Sequence, residues 1–182
     1  MEIVLKNNIK ELTRNLDKLE RQVLPQATNR TINRVGGKVR TQVRRHVSSE
    51  AGIAQKALNQ RGFFADIKSN LRTLTFSVIV KYGSIPLKDF NPRQTKLGVT
   101  AKAWNKRKVY EGAFISEKLG RHVFVRKSNK RLPIKKLYGP IPARLAKGRE
   151  LENKVDHVID TSFITQLQRN IDYYASRLIK KR

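Results

Sequence analysis

The stretch Leu71-Arg72-Thr73-Leu74-Thr75-Phe76-Ser77-Val78-Ile79-Val80-Lys81-Tyr82 decides the fold class. Leu, Phe, Val and Ile recur in it with partial alternation, and β-branched and aromatic side chains fit a pleated surface. The pattern predicts a strand over 71–82, led in by Phe63, Phe64 and Ile67 and ended by the turn residues Gly83-Ser84-Ile85-Pro86. N-terminal to it the period changes. Ile9, Leu12, Leu16, Leu19 and Val23 recur every three or four residues, which puts them on one face of a helix over 7–24. Pro25 interrupts that pattern. Ile32, Val35, Val39, Val43 and Val47 mark a second helix over 26–48, and 51–59 reads as a short third. Gly36-Gly37 inside the second helix predicts a mild kink or a close helix crossing. A phosphate-cradling loop needs a longer glycine pattern after a strand.

C-terminal to the stretch, 99–104 and 108–115 alternate in part and resemble a hairpin, and 121–126 reads as another short strand. Residues 127–142 contain Pro133, Gly139, Pro140 and Pro142 and are predicted as a loop. From about 143 to 180, Leu151, Val155, Val158, Ile159, Phe163, Leu167, Ile171, Tyr174 and Leu178 give a helical stripe, with a break expected at Thr161-Ser162. Helices, then strands, then helix reads as α+β. The expected architecture is an N-terminal helical hairpin, a central antiparallel sheet with a long basic loop, and a long C-terminal helix. A single domain over 1–182 is expected: 1–60 helical, 61–126 mainly strands, 127–142 the basic loop, 143–182 helical.

Charge narrows the function. The 182 residues carry 40 Lys plus Arg against 14 Asp plus Glu, a net charge of +26. Such an excess repels itself unless an anionic partner offsets it. Residues 61–150 hold 22 basic and 5 acidic residues, so most of the excess lies in the middle. Between Glu117 and Glu150 there is no acidic residue, yet Lys118, Arg121, Arg126, Lys127, Lys130, Arg131, Lys135, Lys136, Arg144, Lys147 and Arg149 fall there. An ordinary surface mixes both signs, so these eleven are the candidate nucleic-acid or acidic-partner contacts. Interleaved Val123, Phe124, Val125, Leu132, Ile134, Leu137 and Tyr138 argue for a folded segment rather than a disordered tail. Long loops inside compact domains are usually functional or disordered.

Catalytic chemistry finds no support. There is no cysteine, which removes disulfides, thiol catalysis and zinc ribbons. His46, His122 and His157 lie far apart in unrelated contexts, without metal-ligand spacing. Most enzymes acting on DNA need carboxylates to hold metal ions. The basic middle offers only Asp66, Asp89, Glu111, Glu117 and Glu150; Asp89 and Glu111 could meet across strands, but a role as turn caps or partners for nearby Lys and Arg is the better reading. Trp104, between Lys102 and Lys106, suits core or interface packing better than stacking on a base. No catalytic residue, metal or cofactor is expected. No apolar run approaches the roughly 20 residues of a membrane span. Residues 1–6 lack the long apolar stretch of a signal peptide. A basic loop broken by prolines does not suit a membrane surface, which favours a basic amphipathic helix.

Three blocks, in order, carry a resemblance. The first is Asn29-Arg30-Thr31-Ile32-Asn33-Arg34-Val35, continuing to Thr41-Gln42-Val43-Arg44-Arg45. The second is Pro92-Arg93-Gln94-Thr95-Lys96-Leu97-Gly98-Val99-Thr100-Ala101-Lys102-Ala103-Trp104. The third is Gly120-Arg121-His122-Val123-Phe124-Val125-Arg126, then Leu132-Pro133-Ile134-Lys135-Lys136-Leu137-Tyr138-Gly139-Pro140. Together they resemble the minor tail protein Z family of lambda-like phages and prophages over most of the chain. The resemblance implies a structural tail-completion protein of the virion, made in the host cytoplasm. It would act at the head-proximal end of the tail, in head-tail joining and DNA passage. It supplies no catalytic residues. The implied partners are other tail or neck proteins, double-stranded DNA and further copies of the chain in a ring, six to match the tail.

The charge constrains such a ring. Six copies carry +26 each, whereas about 30 Å of threaded duplex presents roughly 18 negative charges. Much of the positive surface is then expected to face acidic neighbours, and only a subset, from 118–149, to face DNA. On charge alone, a cellular architectural or ribosomal-type nucleic-acid-binding protein is the alternative.

Overall fold

The computed structural model describes residue 14 and residues 16–180. Of the first predicted helix, 7–13 and 15, with Ile9 and Leu12, lie outside the described residues. From Leu16 the chain is helical without interruption to Ala51, through a π-helical turn at Leu19–Val23 and then α1 (Leu24–Ala51). Pro25 therefore does not separate two helices, and the expected helical hairpin is replaced by one long helix. The cause is local. Leu24 N–H bonds to Leu19 O, five residues back. This widened turn directly precedes Pro25, whose ring would crowd the carbonyl of Arg21 in a regular α-helical turn.

The remaining elements are α2 (Gln55–Gln60), β1 (Phe64–Ile67), β2 (Ser77–Val80), β3 (Arg93–Thr95), β4 (Gly98–Ala103), β5 (Lys106–Glu111), β6 (Ala113–Ser116), β7 (His122–Arg126), β8 (Ile134–Lys136), α3 (Pro142–Leu145) and α4 (Arg149–Lys180). The class is α+β, with three small antiparallel sheets, β1-β2, β3-β4-β5 and β6-β7-β8, in place of a single one. The strand predicted over 71–82 shortens to β2. Asn70 explains the loss: its Oδ1 accepts the backbone N–H of Arg72 and of Thr73, each at 2.9 Å, and turns 71–73 out of any ladder. Thr161-Ser162 does not break α4. Thr161 Oγ1 instead donates to His157 O, one turn back.

The described chain divides into two compact units. The first comprises the described residues up to Lys38, Ile67–Ser77, and those from His157 onward. Polar pairs fix it. Buried Thr31 donates to Ala27 O and accepts from the Nδ2 of Asn170, itself only 2% exposed. Asn33 and Ser69 exchange two bonds, Asn33 Nδ2 to Ser69 O at 3.0 Å and Ser69 N–H to Asn33 Oδ1 at 2.9 Å. Gly36 lies against the ring of Phe76, where a Cβ would sit 2.3 Å from ring carbon. Gly36 thus serves the approach of an aromatic ring, whereas a Cβ on Gly37 would meet nothing within 4 Å.

The second unit, Val39–Asp66 and Val78–Asp156, holds the main core. Val43, Val47 and Ala51 from α1, Leu58 from α2, Val99, Ala101 and Ala103 from β4, and Val123 from β7 meet Ile85, Leu87 and Phe90 there. Each fully buried Leu, Ile or Val stabilises the fold by roughly 1.5–3 kcal/mol. Segment 137–140 belongs to this core rather than to a free loop. Leu87 N–H bonds to Leu137 O and Gly139 N–H to Ile85 O, and a Cβ on Gly139 would meet the Phe90 ring at 2.6 Å.

Candidate functional site

Antiparallel pairing of β6-β7-β8 places the predicted basic segment. Phe124 lies opposite Phe114 and Lys136; Val125 lies opposite Ala113 and Lys135. Residues opposite one another share a face. Val123, Val125, Ala113 and Ile115 therefore line one face, with Val123 and Ala113 in the core. His122, Phe124, Arg126, Phe114 and Lys136 line the other.

That second face is an aromatic and cationic ladder. The Phe114 and Phe124 rings lie 6.1 Å apart, and His122 meets Phe124 edge-on at 6.4 Å. The Arg126 guanidinium lies 5.0 Å from the Phe114 centroid, and Lys136 Nζ 5.5 Å from that of Tyr138. Lys136 Nζ also sits 3.1 Å from His122 Nε2. An ammonium only donates, so His122 is the neutral acceptor. Burial, then the neighbouring Lys136, Lys88 and Arg61 charges, holds the His122 imidazolium pKa below its ordinary value. Burial, then Lys88 and Arg61, likewise lowers that of Lys136.

The eleven candidate cations do not form one patch. Lys118 and Arg121 sit in the turn that opens β7, whereas Arg126 closes it. At about 3.4 Å per residue that strand separates the two groups by roughly 17 Å. Lys127, Lys130 and Arg131 occupy the loop 127–133, which Lys127 N–H closes onto Pro133 O. The loop is shorter than the predicted 127–142, because β8 pairs with β7. Lys135 and Lys136 ride on β8 and point to opposite faces. Arg144 lies in α3, with Nη2 3.5 Å from the Tyr82 hydroxyl. Lys147 is exposed beyond it, and Arg149 opens α4.

Among the described residues, only Arg121 of the eleven has a carboxylate within 4.0 Å: Glu117 at 3.9 Å, with both side chains about four-fifths exposed. Such a pair is worth little. The carboxylates of the basic middle go elsewhere. Asp66 takes Arg40, Asp89 takes Arg61 through two bonds, and Glu150 takes Lys154. The reading of these acids as partners for nearby cations holds for Asp66, Asp89, Glu117 and Glu150.

Sequence reading missed two features. Lys88 and Arg61 join the His122–Lys136 neighbourhood only through tertiary packing, and no local signal marks them. The second was visible: Lys102, Lys106, Arg107 and Lys108 fall within seven residues without an acid, and the β4-β5 hairpin gathers them at one tip.

Among the described residues, no helix is long and apolar enough to cross a membrane. No group of three or more His, Asp or Glu suited to a metal ion occurs among them. A protein-family model described as prophage minor tail protein Z (GPZ) matches residues 7–182. No curated protein and no solved structure matches the chain.

Proposed function

Because the chain belongs to the prophage minor tail protein Z family, we propose that it completes the head-proximal end of a phage tail, as a structural and non-enzymatic part of the virion, and takes part in head-tail joining and DNA passage. The family match over residues 7–182 supports reading the chain as one functional unit. The observation that carries the physical part of the reading is the set of eleven cations with a single, exposed carboxylate partner among the described residues. Cations left unpaired by their own chain are available to an external polyanion.

In this reading copies close into a ring of six at the tail end. Lys127, Lys130 and Arg131 lie near the DNA, and part of the remaining positive surface meets acidic faces of neighbouring tail or neck proteins. Self-repulsion between copies at +26 each then makes assembly depend on those anionic partners.

Deleting the gene and imaging the resulting particles tests the role. The expected result is full-length tails and filled heads that fail to join productively, restored by the wild-type chain in trans. Normal joined, infectious particles without the protein would overturn the reading.

A further inference from the structure

We propose that the tip of the β4-β5 hairpin is a docking anchor that seats Trp104 in an apolar pocket rimmed by carboxylates on another protein of the tail, an inference that rests on the tail role proposed above. Three observations carry it.

The first is the turn itself. Ala103 pairs with Lys106, so Trp104 and Asn105 alone make the turn. Both have positive φ, 53° and 58°. A two-residue turn of this kind favours Asn or Gly, and a bulky residue there is disfavoured by about 1–3 kcal/mol. The fold covers only about half of the indole. Trp104 is 47% exposed, and among the described residues no ring or cation stacks on it.

The second is charge. Lys102 lies directly opposite Arg107 across the hairpin, and like charges so placed destabilise a ladder. Lys106 and Lys108 point to the other face. All four are exposed, and among the described residues none has a carboxylate within 4.0 Å. The tip thus carries two local disadvantages that a partner offering an apolar pocket and negative charge would relieve.

The third is rigidity. Trp104 N–H bonds to Ala51 O at 3.1 Å and Asn105 Nδ2 donates to Ser49 O, both at the end of α1. Gly52, with φ 70°, leaves the space Asn105 occupies; a Cβ there would lie 2.7 Å from its backbone nitrogen. A tip held in place loses little freedom on binding.

A protein fits this tip better than a duplex. An indole enters stacked DNA only by unstacking a base step, at a few kcal/mol. Trp and Arg are the residues that concentrate binding energy at the centre of protein interfaces.

The test uses Trp104→Asn, which removes the indole while suiting the backbone, together with Lys102→Glu/Arg107→Glu. The probe is tails purified from the encoding phage or prophage with this gene deleted; a 30-base-pair duplex is the control. Wild-type chain should bind the tails, and Trp104→Asn should weaken that binding by about 30-fold or more, in the range of interface hot spots. Its melting temperature should be unchanged or higher and its duplex affinity unchanged. The double charge reversal should weaken tail binding chiefly through a slower association rate. Equal tail binding by wild type and Trp104→Asn overturns the proposal. Loss of duplex affinity with tail binding intact makes the tip a DNA contact instead. If wild type itself fails to bind the tails, the tail role falls and the docking anchor with it.

Discussion

Two basic turns of the second unit join antiparallel strands in different ways. The β4-β5 tip uses two residues and is tied to the end of α1 by Trp104 N–H and the Asn105 amide. The β7-β8 loop uses seven, 127–133, and its bonds are internal: Lys127 N–H to Pro133 O, and Lys130 N–H to Ser128 Oγ. Both carry Lys and Arg without carboxylate partners among the described residues. A tethered tip fixes the backbone that carries Trp104, which lowers the cost of ordering on a specific protein contact. Among the described residues, the loop's bonds hold its backbone and leave its exposed Lys and Arg side chains facing solvent. That suffices for phosphates, whose contribution is largely independent of sequence. On the proposed reading, equal charge density at the two turns goes with different partners, and what holds the charge in place is the difference between them.

Removing the tip's support is the harshest way to break the comparison. Gly98 opens β4 with φ 152°, and a Cβ there would lie 2.1 Å from Tyr110 O, a backbone atom that cannot step aside. Gly98→Ala should lower stability by about 3 kcal/mol, the upper end for overpacking combined with backbone strain. A shift of the denaturant midpoint measures it. Gly52→Ala acts on the tether alone and should cost about 1–3 kcal/mol, for the same two reasons at a site nearer the surface. If Gly52→Ala leaves stability and tail binding untouched, the tip is not held by α1 and the contrast with the loop disappears.

The sequence made some of this contrast legible and concealed the rest for physical reasons. The periodicity of Val35, Val43 and Val47, with half-buried Val39, marked the buried face of α1, and alternation through 99–104 and 108–111 marked the hairpin, whereas 113–115, predicted as part of it, form β6 and pair with β7. Local chemistry misled where a tertiary or neighbouring partner intervened. Pro25 looked like a break because the compensating π-helical turn lies before it, in Leu19–Val23. Gly139 and Pro140 looked like a free loop, because the approach of Phe90 and the bonds to Ile85 come from residues about fifty positions away. Among the candidate site residues, the eleven cations were legible as composition. Their division along β7 was not, since it depends on the register with β6 and β8. Trp104 was noticed for its neighbours, but its strained φ is invisible in a sequence.

A gentler probe addresses the sheet that carries the loop. The folded His122 imidazole has a lowered pKa, through burial and then its cationic neighbours. The unfolded chain therefore takes up a proton first as pH falls below about 6.5. Stability is fully present above that pH and declines as pH falls towards the lower folded value. His122→Gln should flatten this decline, read as the melting temperature between pH 7.5 and 5. An equally steep decline in the variant would place the titrating group elsewhere.

The smallest effect on the fold belongs to the loop, and it is the sharpest test of what the loop is for. Lys127, Lys130 and Arg131 are exposed and have no carboxylate partner among the described residues. Changing all three to Gln should shift stability by no more than about 0.5 kcal/mol per site. On duplex DNA, removing one cation from a phosphate should flatten the logarithmic salt slope by about 0.9, so removing all three should flatten it by about 2.7. Sequence preference should stay as weak as before, because phosphate contacts position and do not specify. An unchanged slope would show that these cations answer an acidic protein face rather than DNA. Both basic turns would then be protein contacts, differing in rigidity but not in the kind of partner they meet.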